Sequence, residues 1–237
     1  MSRTATPKLS IIIPTLDEAA GIVALLRSLQ PARQRGAELI VVDGGSADQT
    51  VALATPLVDR LVRSAAGRAR QQNAGAAAAR APLLWFVHAD TTLQGGEDVL
   101  LRAQSADWGR FNVRLSDADW QLALIAFFIN LRSRMSGIAT GDQAIFVNRE
   151  LFAEVGGFPE QPLMEDVALS RLLRQRQPPC CLRHPIVTDS RRWRRHGVWR
   201  TVALMWWLRW RYFCGADPAI LWRRYYADRA AQTGRKS

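Results

Sequence analysis

Short runs of β-branched and aromatic residues constrain this chain most. Each is cut off by a proline, glycine or polar turn and followed by a helical stretch. LSIIIP at 9–14 is continuously apolar and stopped by proline, which predicts a buried strand. AELIVVDGGSADQT at 37–50 is a second strand that ends in a glycine-rich turn. DRLVRS at 59–64 predicts a short third strand and LLWFVHAD at 83–90 a fourth. Between them, EAAGIVALLRSLQ (18–30) has helical period, TVALATPL opens a helix broken near Pro56, and ARQQNAGAAAARA (69–81) is an alanine-rich helix ended by Pro82. Such alternation predicts βαβ units and a mainly parallel sheet flanked by helices. Open parallel sheets bind ligands beyond the carboxyl ends of their strands. Those ends carry Thr15, Asp17 and Glu18, then Asp43, Gly44, Gly45 and Ser46, then His88 and Asp90. Any one of these is as well explained by a turn or a helix cap. Three strand ends together point to a ligand site.

Beyond residue 95 the pattern changes. WQLALIAFFINL (120–131) is apolar on nearly every side; GDQAIFVNRELFAEVGGF (141–158) reads as a strand, a short helix and a turn; EDVALSRLLRQR (165–176) is an amphipathic helix. From Ser190 to Ala216 arginine and tryptophan abound and no acidic residue occurs. A chain of 237 residues with no internal repeat and no flexible linker reads as one α/β domain with appendages.

The net charge of +11 is carried by arginine, since Lys8 and Lys236 are the only lysines. That surplus favours anionic partners: nucleotide phosphates, nucleic acid or an acidic membrane face. Nucleic acid is disfavoured, because no helix-turn-helix, zinc-finger or RRM pattern appears and the basic residues interleave with tryptophan. Cys180, Cys181 and Cys214 fit no zinc spacing or disulfide framework, which predicts a reducing, cytosolic compartment. MSRTATPKLSIII lacks the long apolar region of a signal peptide, and no run of about 18 uncharged apolar residues predicts a spanning helix.

Four motifs in order resemble the family 2 glycosyltransferases of GT-A fold: SIIIPTLDEA; VVDGGSADQT; GRARQQNAGAAAARAPLLWFVHADT; and PLMEDVALSRLL. The resemblance covers roughly residues 9–176. It implies a Rossmann-like GT-A sheet, with C-terminal apolar and basic helices following. Residues 1–189 would form one catalytic domain, nucleotide-binding over about 9–95 and acceptor-binding over about 96–189. Residues 190–237 would form a basic, Trp-rich helical tail.

The resemblance also assigns roles. HAD at 88–90 stands where the family has Asp-x-Asp, which holds a divalent metal and the donor's ribose and diphosphate. Asp90 keeps the second carboxylate. His88 either joins the metal site, favouring Mn²⁺ over Mg²⁺, or only hydrogen-bonds ribose or a neighbouring strand. Asp43 maps to the residue that pairs with the donor base, usually uracil; Gly44 replaces the turn's second aspartate. Pro14, Thr15, Glu18, Gly45, Ser46, Asn73 and Ala89 complete the donor set. The family's arginine before Asn73 is Gln72 here, so Arg68 or Arg70 is expected at the phosphates. Asp166, with Glu165 beside it, is the family-matched base for an inverting displacement; both also suit the start of the following helix. Gly141, Asp142 and Gln143 either line the sugar and acceptor pocket or form an ordinary turn. Arg192 and Trp193 either close over the diphosphate or lie on a solvated basic surface, and His196 is a further candidate metal ligand.

The expected partners are a nucleotide-sugar donor, UDP-linked by preference, and Mn²⁺ or Mg²⁺. Rival readings are a nucleotidyltransferase, whose basic glycine-rich first loop is absent from IPTLDEAAG, and a non-catalytic sugar-nucleotide binder. VWRTVALMWWLRWRYF (198–213) is too interrupted to span a bilayer. On a helix Arg200 and Arg211 share a side and Arg209 lies nearly opposite. Tryptophan with arginine suits a membrane interface. Peripheral attachment to the cytoplasmic face of the cell membrane is therefore expected, with a lipid-linked or polyprenyl acceptor; a homodimer hiding the same surface is the alternative.

Overall fold

The computed structural model describes residues 6–92, 106–117, 119–190, 193 and 197–233. Its centre is a sheet built from β1 (Leu9–Thr15), β2 (Glu38–Asp43), β3 (Arg60–Arg63), β4 (Leu83–Phe86), β5 (Thr91–Thr92), β6 (Trp108–Leu115), β7 (Phe146–Asn148) and β8 (Cys180–Thr188). The strand order is β3-β2-β1-β4-β7-β6-β8-β5. The first four strands are parallel, as the βαβ pattern predicts. Beyond β4 the sheet is mixed: β7 runs antiparallel to both β4 and β6, while β6 and β8 are parallel.

The β-branched runs are continuous because both faces are covered. Ile11, Ile13, Leu39, Val41 and Trp85 pack on one face with Leu25, Leu26 and Leu29 from α1 (Ile22–Ser28) and its end. Ile12, Ile40, Val42 and Phe86 pack on the other with Ala69 and Ala76 of α4 (Arg68–Ala78). The glycine of the Asn-x-Gly motif has a packing reason: a Cβ at Gly75 would lie 2.4 Å from Ile12 Cγ2 and 2.9 Å from Val42 Cγ2. Helix α4 is alanine-rich because it lies nearly flush on the sheet.

Three boundaries differ from the sequence reading. The expected strand 83–90 ends at Phe86. Val87 N–H still reaches the Ile12 carbonyl at 3.0 Å, but two residues on, Pro14 has no N–H to extend the ladder. His88 to Asp90 are thereby freed into a turn, with Thr91 N–H on the His88 carbonyl at 3.1 Å. The helix expected from residue 18 starts at Ile22 because the loop before it is tied elsewhere; past Leu29 the chain continues as α2 (Gln30–Gln34). Residues 141–143 form a 3₁₀ turn, not strand. The remaining helices are α3 (Thr50–Ala54), α5 (Trp120–Ser136), α6 (Arg149–Glu154), α7 (Glu165–Arg176), α8 (Val198–Phe213) and α9 (Pro218–Thr233).

The last two helices pack onto the second half of the chain. Leu208 of α8 with Leu221 and Tyr225 of α9 meet Ile138, Leu163, Met164 and Val167. Val198 and Val202 of α8 meet Leu122 and Ile125 of α5. Among the described residues no helix is long and apolar enough to cross a membrane.

Candidate active site

The parallel strands deliver their ends in register, with Thr15 opposite Asp43. Asp43 turns its carboxylate on its own turn, accepting from Gly45 N–H and Ser46 N–H, each at 3.1 Å. Ser46 Oγ accepts from Asp17 N–H at 3.0 Å, and Asp17 accepts from Ala47 N–H at 2.8 Å. Asp48 takes the N–H groups of Ala19 at 3.0 Å and Thr50 at 2.9 Å. The Thr50 hydroxyl holds its carboxyl below the usual range. The first two strand ends are thus stitched into one rigid rim.

Gln71, passed over in the sequence, is buried in that rim. Its amide donates to the carbonyls of Thr15 at 2.8 Å and Val42 at 2.9 Å. A Cβ at residue 44 would lie 2.9 Å from Gln71 Nε2. Gly44 therefore goes with the glutamine that occupies the space of a side chain. Asn73 is spent on structure: Nδ2 donates to the Phe158 carbonyl and Oδ1 accepts from Phe158 N–H, both at 2.9 Å.

A cleft of about 650 Å³ opens beside the rim. Pro14, Thr15 and Glu18 line one side, His88, Ala89 and Asp90 the next, and Arg68 and Arg70 the start of α4. Trp222, Tyr225 and Tyr226 of α9 form a wall that sequence reading did not find. The only sequence signal was their aromatic character; the return of α9 over the cleft is tertiary. Arg70 meets Glu160 at 3.1 Å, both exposed. Arg68 Nη1 lies 3.9 Å from Glu165 Oε1. Burial works against the Arg68 charge, but Glu165, Tyr225, Tyr226 and Asp166 outweigh it and hold its pKa above the ordinary value.

The 3₁₀ turn at Gly141–Gln143 brings the catalytic candidates together. A Cβ at Gly141 would sit 2.6 Å from both Cε1 and Nε2 of His88 and 3.6 Å from Asp166 Oδ2. The imidazole therefore packs against bare backbone, with Asp166 beside it. Asp166 Oδ2 accepts from Gly141 N–H and Oδ1 from Val167 N–H, both at 2.7 Å, which fixes the carboxylate at the start of α7. Burial and the Arg68 charge lower the His88 pKa against the pull of Asp90, Asp142 and Asp166, so the imidazole is neutral at pH 7. Glu165 is only 4% exposed, and burial, then the Asp166 charge, pushes it up to about 7.

The other expected residues divide. Gln143 is fully buried, and its side chain accepts from Thr140 N–H at 3.2 Å, closing a capping box. Asp142 is half-buried and takes the Thr140 hydroxyl. Trp193 lies in the apolar cluster of Leu115, Leu122 and Ile125. Arg192 and His196 lie outside the described residues.

Among the described residues no three His, Cys, Asp or Glu side chains close on one point. The donor set nevertheless suits a divalent ion shared with a ligand. Asp90 is an exposed carboxylate on the cleft wall and His88 a neutral imidazole two residues away. Mg²⁺ and Mn²⁺ are commonly held by one or two protein groups plus phosphate oxygens.

Residues 10–108 match the family described as Glycosyl transferase family 2. An uncharacterized glycosyltransferase of Mycobacterium tuberculosis H37Rv is 29% identical to this chain over 169 residues, 65% of this chain and 64% of that protein. A PGL/p-HBAD biosynthesis glycosyltransferase of Mycobacterium bovis BCG is 29% identical over 181 residues, with the same coverage. The chain thus spans 64% of the length of these curated relatives. Among solved structures, Staphylococcus aureus TarS 1-349 superposes with a TM-score of 0.61 at 17% identity, over 77% of this chain and 60% of that one. The Mycobacterium tuberculosis glucosyl-3-phosphoglycerate synthase, in complex with Mn²⁺ and UDP, gives 0.56 at 19% identity, over 77% and 71%. The Pyrobaculum calidifontis mannosyltransferase PcManGT, in complex with GDP-Man and Mn²⁺, gives 0.58 at 20% identity, over 78% and 57%. These likenesses confirm the fold expected from the sequence, a GT-A α/β sheet flanked by helices.

Proposed function

We propose that this chain is a metal-dependent glycosyltransferase that moves a sugar from a nucleoside-diphosphate donor, UDP-linked by preference, to an acceptor hydroxyl with inversion. The observation that carries the reading is the meeting of His88 and Asp166 at the bare backbone of Gly141, with His88 and Asp90 lining the cleft at the carboxyl ends of the parallel strands. Asp90 and His88 would hold Mn²⁺ or Mg²⁺, and when bound the ion acts as a Lewis acid on the departing diphosphate. Arg68 and Arg70 offer guanidinium groups to phosphate oxygens from the α4 wall. Asp166 is held by two backbone N–H groups in the position to take the acceptor's proton as its oxygen attacks the anomeric carbon. Glu165 lies beneath it as a buried acid tied to Arg68 and contributes to fixing that guanidinium. The work divides between a donor half over about 9–95 and an acceptor half over about 96–189.

Residues 190–237 serve, in this reading, to dock the enzyme on the inner face of the cell membrane, where a lipid-linked acceptor is presented. Trp199, Trp206, Trp210 and Phe213 of α8 are each more than half exposed, as are Phe127 and Phe128 of α5. Arg211 lies 6.0 Å above the Trp207 ring, the mixed cationic and aromatic surface that suits phospholipid headgroups. A second copy of this chain is the alternative cover for that face.

Calorimetric titration of UDP and GDP, with and without Mn²⁺, tests the core of the reading. Wild-type chain should bind UDP more tightly with metal, and Asp90→Ala should lose the metal-dependent part. Metal-dependent affinity unchanged in that variant refutes the assignment of Asp90.

A further inference from the structure

The seam between α5 and α8 is apolar at one end and doubly cationic further along. Leu122, Ile125 and Ile129 of α5 pack with Val198 and Val202 of α8. Arg132 follows Ile129 by three residues and Ile125 by seven, so helical period keeps it on the packed face. Arg209 follows Val202 by seven, on the side of α8 opposite the exposed Arg200 and Arg211. Its neighbour Leu208 is already in the cluster with Ile138 and Val167. Both arginines therefore enter the molecule between two apolar clusters.

Buried guanidinium groups are normally paired. Here Arg132 Nε and Nη2 and Arg209 Nε are shut off from solvent with no hydrogen-bond partner among the described residues. Burial, then the like charge of Arg209, lowers the Arg132 pKa to about 10, while Asp142 and Asp166 pull it the other way. Arg132 stays cationic at neutral pH, and the two aspartates that feel it belong to the acceptor side of the proposed site. Neither arginine lines the cleft that holds Arg68, Arg70 and Asp90.

We propose that Arg132 and Arg209 form an oxyanion subsite, separate from the donor cleft, that takes the phosphate of a phosphorylated acceptor and sets its reacting oxygen beside Asp166. The role as acceptor subsite rests on the glycosyltransferase reading; the binding of phosphate does not. Two guanidinium groups supply forked donors that match phosphate geometry. Arg110, buried on β6 with its own Nε unpartnered, is engaged through its other nitrogens with Phe111 O at 3.2 Å and Asn130 O at 3.0 Å, so it supports α5 rather than the ligand.

The test uses the full chain, alone and saturated with UDP and Mn²⁺, titrated with inorganic phosphate and with geranyl phosphate while thermal stability is followed. Either phosphate should raise the Tm of the wild type in both states, and tenfold tighter binding of geranyl phosphate would name a lipid as the source. Arg132→Gln and Arg209→Gln should abolish that rise yet leave UDP affinity within twofold. Without phosphate, Arg132→Gln should melt higher than wild type by roughly 2–4 °C, because an unpaired buried charge has been removed. Arg132→Lys, which keeps the charge, should retain a weakened phosphate shift and serves if a glutamine variant does not fold. A phosphate shift in Arg132→Gln equal to wild type overturns the proposal. So does a tenfold loss of UDP affinity, which would give the pair to the donor. Failure of the wild type to bind UDP would sink the transferase reading, while the phosphate shift measured without UDP still decides the subsite.

Discussion

Replacing Gly141 by alanine tests how the site is assembled. The added Cβ would lie 2.6 Å from Cε1 and Nε2 of His88, where favourable contacts need about 3.5 Å or more. Either the imidazole or the 3₁₀ turn must give by about 1 Å. Overpacking of this kind costs about 1–3 kcal/mol. For a chain of this size each kcal/mol moves Tm by about 2–4 °C, so a fall on the order of 5 °C is expected. Function should suffer more. The turn also carries the N–H that holds Asp166 at 2.7 Å, so a shift misplaces His88 and Asp166 together. A misplacement of about 1 Å is worth about 10²-fold in rate. The assays are thermal denaturation and hydrolysis of a panel of UDP-glucose, UDP-GlcNAc and GDP-mannose with Mn²⁺. Combining Gly141→Ala with His88→Ala should restore most of the lost Tm, since a small side chain leaves room, and should not restore activity. The two sites must therefore couple in stability. A Gly141→Ala chain with unchanged Tm and turnover, or one whose Tm loss persists beside His88→Ala, refutes the packing of imidazole on backbone.

Asp166→Asn should keep UDP and Mn²⁺ binding yet lose sugar transfer by about 10²-fold; normal turnover would leave Asp166 as a helix-start residue only. Glu165 titrates near 7 in the fold against an ordinary 4.5, so its contribution to stability is present below pH 4.5 and is lost as pH rises toward 7. Glu165→Gln should remove that decline, worth about 3 kcal/mol, from stability measured by denaturant between pH 4.5 and 8. The purified chain should float with anionic liposomes and much less with neutral ones. A stable dimer in detergent-free buffer that fails to float would assign the Trp-rich face to a second copy.

What the sequence settled by itself was the doubly covered parallel half. Continuous β-branched runs require two apolar layers, and the Gly-rich turn marks where β2 must stop, while β1 runs one residue past Pro14 to Thr15. That logic placed Asp43, His88 and Asp90 at strand ends before any tertiary contact was known. The helical wheel of 198–213 also separated Arg209 from Arg200 and Arg211, and the packed side of α8 is the Arg209 side. What only the tertiary structure decided was which polar groups remain available. Asn73 and Gln143 look like ligand-binding residues in the chain, yet Asn73 is consumed by Phe158 and Gln143 by Thr140, because their partners lie on turns whose approach no local pattern fixes. Gln71 and Gly44 make sense only as a pair meeting across α4 and β2. The aromatic wall of α9 and the joint burial of Arg132 and Arg209 depend on how α5, α8 and α9 dock. Burial is a property of the partner surface, and a guanidinium that reads as a solvated charge in sequence is left with buried, unpartnered nitrogens once two helices pack around it.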